Sequence, residues 1–229
     1  MSEVQIDSLV TLKYFSLSQL PNLESLPQCG LPSNLQSFFI VDCERLSSVP
    51  IKDWGFQRLA SLSGLQVKGD GSERILCNLL KHQLLPTSLM RIDICDFSNL
   101  KLLDGKGLRC ITSLEELYIS DCPQLESLPE DELPSSLLEL NISGCPKLLK
   151  RYDFQRGRHL SKIAHIPTVQ IHGKYYDPWE ASQECTRLSM DEGEGSSITL
   201  ELPNRRDLLE AKSKLKEMKG DQDDLRLFW

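Results

Sequence analysis

With 229 residues, 40% hydrophobic and 26% charged, the chain has room for one or two domains and a sizeable core. Its net charge of −7 gives no basic field to displace phosphate counterions, which argues against nucleic acid as a partner. No apolar run reaches the roughly 18 residues that span a bilayer, and MSEVQIDSLVTLKYF lacks the basic start and apolar stretch of a signal peptide. The eight cysteines are too scattered for a disulfide framework, so reduced, buried thiols in a cytoplasmic protein are expected. The sequon Asn141-Ile142-Ser143 is then expected to stay unused.

In chain order, the first organised stretch places apolar residues at Leu12, Phe15, Leu17, Leu20, Leu23 and Leu26, ending at Pro27. The period is 2 across Phe15 and Leu17, which predicts a short strand. It is 3 afterwards, which suits a compact return path. This is the leucine-rich-repeat template, L-x-x-L-x-L-x-x-N/C-x-L, one strand per turn of a solenoid. Further copies start at Leu35, Leu62, Leu89, Leu114 and Leu137, giving spacings of 23, 27, 27, 25 and 23. The best formed runs from Leu114 to Pro129, LEELYISDCPQLESLP. No single turn can bury its apolar side, so neighbouring turns must stack around one continuous core. The position held by Cys43, Cys122 and Cys145 is expected to need a small buried side chain.

Connectors such as Leu31-Pro32-Ser33-Asn34, Leu85-Pro86-Thr87-Ser88 and Leu133-Pro134-Ser135-Ser136 set up the turn into the next strand. Trp54 to Arg58 extends the second connector. Ser72 to Leu84 predicts a short convex-side helix with Ile75, Leu76, Leu79 and Leu80 as its apolar face. The third copy degenerates at Gly69-Asp70-Gly71, and the sixth loses its pattern at Arg151. Residues 152–173 read as a C-terminal cap containing a last strand through Val169 and Ile171, with His165 helping to pack it. No cap precedes Leu12, and Leu9 and Val10 are expected to leave an apolar end exposed. The domain reading is therefore residues 1–179 as the repeat domain and 180–229 as a charged, largely disordered tail. Within the tail, Asn204 to Lys219 predicts a marginal helix with a Leu208, Ala211, Leu215 and Met218 stripe. The expected fold is an α/β solenoid: a leucine-rich-repeat horseshoe of about six repeats with a parallel sheet on its concave face.

Several stretches carry a finer resemblance. These are C-P-x-L-x-S-L-P (Cys122 to Pro129), L-P-S-S-L (Leu133 to Leu137), L-x-I-S-G-C-P-x-L (Leu140 to Leu148) and K-I-A-H-I-P-x-V-x-I (Lys162 to Ile171). Together they resemble the C-terminal leucine-rich-repeat region of plant coiled-coil-type nucleotide-binding disease-resistance proteins, from about Leu9 to Gly173. The resemblance implies the recognition and autoinhibition half of an immune receptor. The partner it implies is a protein: a pathogen effector, a guarded host protein or the nucleotide-binding domain of a parent receptor. The G-x-x-x-x-G-K-[ST] phosphate loop of that family is absent from this sequence, so no nucleotide or other cofactor is expected.

No catalytic constellation stands out. His82, His159, His165 and His172 have no H-E-x-x-H spacing, and neither C-x-x-C nor G-x-S-x-G occurs. Glu115 and Glu116 are neighbours on a strand and point to opposite faces, so they cannot act as a carboxylate pair. The expectation is a binding module without catalysis and without a metal. Residues flanking each inward Leu or Ile should form three outward columns on the concave sheet. From these, Phe39, Gln66, Arg91, Asp93, Glu116, Tyr118, Glu139 and Asn141 are the candidate partner-binding residues. Phe39 and Tyr118 are the expected anchors, and Arg91, Asp93, Glu116 and Glu139 the source of charge selectivity. The alternative expectation is a truncated non-functional or regulatory fragment of a larger resistance protein.

Overall fold

A computed structural model describes residues 11–26, 31–48, 51–129, 133–152 and 163–176. The chain divides into a compact unit from Met1 to Tyr176 and a second from Asp177 to Trp229. The expected tail helix at 204–219 and the basic run 156–162 lie outside the described residues.

The first unit is an open α/β solenoid. Its strands are β1 (Tyr14–Ser18), β2 (Ser37–Val41), β3 (Gly64–Lys68), β4 (Arg91–Cys95), β5 (Glu116–Ser120), β6 (Glu139–Ser143), β7 (Thr168–Ile171) and β8 (Lys174–Tyr176). They form one sheet in sequence order. Pairing is parallel from β1 to β7, and β8 closes on β7 antiparallel. Each of the six predicted strands begins two residues after its template leucine. Ladder partners fall on equivalent residues throughout: Phe15, Phe38, Leu65, Ile92, Leu117, Leu140 and Val169 form one inward row. From Phe38 to Val169 that row is at most 2% exposed, so each side chain contributes about 1.5–3 kcal/mol of apolar burial.

Each strand is stopped by one left-handed residue. Gln19, Asp42, Gly69, Asp96, Asp121 and Gly144 all have φ between 47° and 82°. Asp and Gly recur here because a short polar side chain, or none, tolerates this backbone. The turn aims each N–H at the neighbouring coil: Gln19 donates to Val41 O, Asp42 to Lys68 O, Gly69 to Cys95 O, Asp96 to Ser120 O and Asp121 to Ser143 O, at 2.8–3.1 Å. The next residue turns inward. Cys43, Cys122 and Cys145 are fully buried there, and each thiol donates back to the carbonyl two residues earlier, at 3.1–3.4 Å. Phe97 occupies the same position in the fourth coil and is equally buried, so the site does not require a small residue. The third coil explains the room: its equivalent, Asp70, turns to solvent.

Helix α1 (Glu73–Lys81) lies within the predicted Ser72–Leu84 stretch and buries Ile75, Leu76, Leu79 and Leu80. Helix α2 (Gly105–Arg109) is absent from the sequence reading, and α3 (Pro146–Arg151) accounts for the lost pattern near Arg151. The cap also differs from expectation. It continues through β8, reached by a two-residue turn in which His172 and Gly173 both have positive φ, the handedness that suits a hairpin. His165 is exposed, not part of the buried cap core. Ile163 and Ile166 fill the cap, and His172 buries its Nε2 without a partner among the described residues. At the other end, Phe15, Phe38, Phe56 and Trp54 form a chain of ring contacts at 5.6–5.8 Å.

Candidate functional site

Strand alternation leaves the non-core residues of β1–β7 on the concave face, and the ladder register lines them up. One column reads Tyr14, Ser37, Gly64, Arg91, Glu116, Glu139 and Thr168; the next reads Ser16, Phe39, Gln66, Asp93, Tyr118, Asn141 and Gln170. All eight candidate residues lie in these two columns, on five adjacent strands.

They do not form one cluster. Arg91 is the hub of a network on β4–β6. Its guanidinium pairs with Asp93 at 3.1 Å and Glu116 at 3.4 Å, and sits over the Tyr118 ring at 4.2 Å from the centroid. Tyr118 in turn donates its hydroxyl to Glu139 at 2.8 Å. Asn141 donates to Gln170 at 2.7 Å, carrying the polar chain onto β7. Phe39 stands apart on β2, three ladder steps or ~14 Å from Tyr118. Between them the column holds Gln66, beside Gly64. A Cβ at Gly64 would meet Ser37 Oγ at 3.4 Å and Ser37 Cβ at 3.9 Å, ordinary contacts, so this point of the face accepts a side chain without a clash.

The sequence reading missed three concave residues, Thr168 and Gln170 on β7 and Tyr175 on β8. Thr168 and Gln170 were hidden because only the inward pair of β7 was read. Tyr175 was hidden because β8 was not anticipated; it pairs with Gln170 and is 73% exposed. The available signal was the alternation T-V-Q-I followed by His-Gly and K-Y-Y.

Electrostatics set how this face behaves. Burial pushes the Asp93 carboxyl up, and the hydrogen bond and charge of Arg91 only partly offset it. Burial also pushes Glu116 up, opposed by Arg91 and reinforced by Glu139 and Asp93. The Asp93 side chain is 16% exposed against 46% for Arg91, so desolvation falls harder on the acid. Burial, then the hydrogen bond to Glu139, pushes the Tyr118 phenol up, which keeps its hydroxyl a donor. The folded chain thus binds the Asp93 and Glu116 protons more tightly than the unfolded chain. Their contribution to stability grows as pH falls through their raised folded values, and is lost as pH rises through the same window. Carboxyl titration by NMR is expected to give midpoints above the ordinary 3.8 and 4.5 for these two residues. Midpoints at or below those values would contradict the buried placement.

Among the described residues, no group of three or more His, Cys, Asp or Glu side chains is placed to hold a metal ion, and no helix is long and apolar enough to cross a membrane.

No family model matches the chain, and no solved structure matches it. A putative disease resistance protein of Arabidopsis thaliana is 32% identical over 147 residues, covering 64% of this chain and 10% of the relative. Disease resistance protein RPP4, also of Arabidopsis thaliana, is 32% identical over 123 residues, covering 53% of this chain and 10% of the relative. Putative disease resistance protein RGA4 of Solanum bulbocastanum is 39% identical over 56 residues, 24% of this chain and 6% of the relative. The chain spans about a tenth or less of the length of these curated relatives, and it is with plant disease-resistance proteins that its similarity lies.

Proposed function

We propose that the chain is a non-catalytic protein-recognition module of the plant disease-resistance kind, corresponding to the leucine-rich-repeat part of a cytoplasmic receptor and binding its protein partner on the concave sheet. The observation that carries this reading is the in-register alignment of Phe39, Gln66, Arg91, Asp93, Glu116, Tyr118, Glu139 and Asn141 on one continuous face. Aromatic and Arg anchors of this sort dominate interface energetics. Arg91 and Tyr118 hold each other in place, which lowers the ordering cost of binding. A second reading, a regulatory piece of a larger resistance protein, is favoured by the small share of each relative that the match covers.

Because Tyr118 also supports Arg91 and Glu139, truncating it would disturb the face itself. Phe39→Ala and Gly64→Val are the cleaner probes. Valine adds bulk beside Ser37 on an ordinary strand backbone, and removing a strand glycine is worth about 0.5–1 kcal/mol in its favour. Phe39→Ala is expected to keep the thermal unfolding midpoint of the parent and Gly64→Val to hold or raise it, while both recover a protein captured from plant extract at least ~10-fold less well. Equal recovery by both would remove the concave-face assignment.

A further inference from the structure

Two buried thiols meet where the fifth coil stacks on the sixth. The ladder pairs Ser120 of β5 with Ser143 of β6, so Cys122 and Cys145, each two residues further on, take equivalent places in adjacent coils. The coils hold register up to that point, since the Asp121 N–H donates to Ser143 O at 3.0 Å. They are also drawn tightly together there. A Cβ at Gly144 would lie 2.8 Å from the Asp121 N and 2.9 Å from its Cα, so only glycine lets the backbones approach this way. Adjacent strands run about 4.8 Å apart, inside the roughly 4.4–6.8 Å Cα separation that a disulfide spans.

Both cysteine side chains turn inward and are fully buried. Contact with the Cys122 thiol holds the Cys145 thiol below its ordinary range, against the effect of burial. The same contact pushes Cys122 up, and burial adds to it. Cys43 has the same position in the second coil but stacks on Leu20 and Asp70, and Cys95 pairs in the ladder with Lys68 and Ser120. Only a thin shell covers the Cys122–Cys145 pair. Their chain neighbours Asp121, Gly144 and Pro146 are exposed, and α3, which starts at Pro146, buries only Leu148. A segment with so little burial opens at low cost.

We propose that Cys122 and Cys145 are a peroxide-sensitive dithiol that closes to a disulfide and staples the fifth coil to the sixth. As α3 opens, the Cys145 sulfur attacks one peroxide oxygen. The O–O bond breaks, and the other oxygen leaves as water with the thiol proton, giving Cys145 sulfenic acid. The Cys122 sulfur then attacks the Cys145 sulfur. The S–S bond forms, the S–O bond breaks, and a second water carries off the Cys122 proton. Two electrons pass from the thiols to the peroxide. The proposal is independent of the concave-face reading and stands if partner capture fails.

The test uses the full reduced chain, with its accessible thiols first capped by an alkylating agent under native conditions. It is then treated with hydrogen peroxide and cleaved after glutamate, which parts the two cysteines at Glu126 and Glu139. Fragments holding Cys122 and Cys145 are expected to be joined by a bond that a dithiol reductant reverses. They should join at least ~10-fold faster than Cys43, equally buried but without a stacked thiol, is oxidised. Amide exchange in β6 should slow at least ~3-fold on oxidation, while β2 is unchanged. In Cys122→Ser, Cys145 is expected to accumulate as a sulfenic acid that a 1,3-dione traps. No joined fragments, joining only in urea, or joining no faster than Cys43 reacts overturns the proposal. A Cys122→Ser chain without the dione adduct overturns the assignment of Cys145 as the attacking sulfur.

Discussion

Replacing Gly107 by Ala is expected to destabilise the solenoid by more than about 3 kcal/mol, an unusually large effect for one added methyl group. The chain of causes starts at Asp104, whose carboxylate caps α2 by accepting from the Gly107 N–H at 3.1 Å. The cap fixes where the short helix starts, and thereby sets Gly107 down on the end of α1. A Cβ there would run into Leu80 O and lie within 2.6 Å of Leu80 C and Cα. These are backbone atoms of a helix held by four buried apolar side chains, so no rotamer change relieves the overlap. Either α2 lifts away and uncovers Leu108, or α1 shifts and disturbs the third coil. Urea unfolding of Gly107→Ala beside Lys106→Ala checks this, because the exposed lysine one residue away should fall within about ±0.5 kcal/mol. A Gly107→Ala cost under ~1 kcal/mol would mean that the two helices do not approach as described.

Gly107 also marks where sequence reasoning stops. The six strands were legible because each coil repeats the same inward spacing, so a weak third copy was rescued by its neighbours. Helix α1 was legible from the spacing of Ile75, Leu76, Leu79 and Leu80. Helix α2 was not, since Gly105-Lys106-Gly107-Leu108-Arg109 has one apolar residue and two glycines, a composition that speaks for a turn. Gly107 serves close approach, which becomes visible only when the neighbouring helix is in place. Strand β8 hid behind a His-Gly turn where Asn-Gly would have signalled a hairpin. The left-handed stop after β2, β4, β5 and β6 was written in the sequence as Asp or Gly before Cys or Phe, but a template tuned to leucines passes over it. The concave columns followed from alternation alone. The pairing of Arg91 with Asp93, Glu116 and Tyr118 did not, because it depends on how long side chains lean along one strand and across to the next.

The second large effect is expected at Phe97. Phe97→Ala should cost about 3–5 kcal/mol, the range for emptying a fully buried aromatic site. The comparison with Phe97→Cys is more informative. Cysteine is what the second, fifth and sixth coils use at this position, so a purely local requirement would make the change nearly silent. The surroundings argue otherwise. The adjacent third coil places solvent-facing Asp70 at the equivalent point and sends no side chain inward from that position. The phenyl ring therefore fills space that two coils would normally share, and Phe97→Cys is expected to retain a cost of about 2 kcal/mol through the cavity it leaves. A solenoid is coupled mainly between neighbours, so the damage should be local. Hydrogen exchange should rise first in β3, β4 and β5, while β2, with its aromatic chain through Phe38, Phe56 and Trp54, stays protected. A silent Phe97→Cys would show that the position asks only for a small buried side chain. A uniform loss of protection across all strands would show that the coils unfold as one unit.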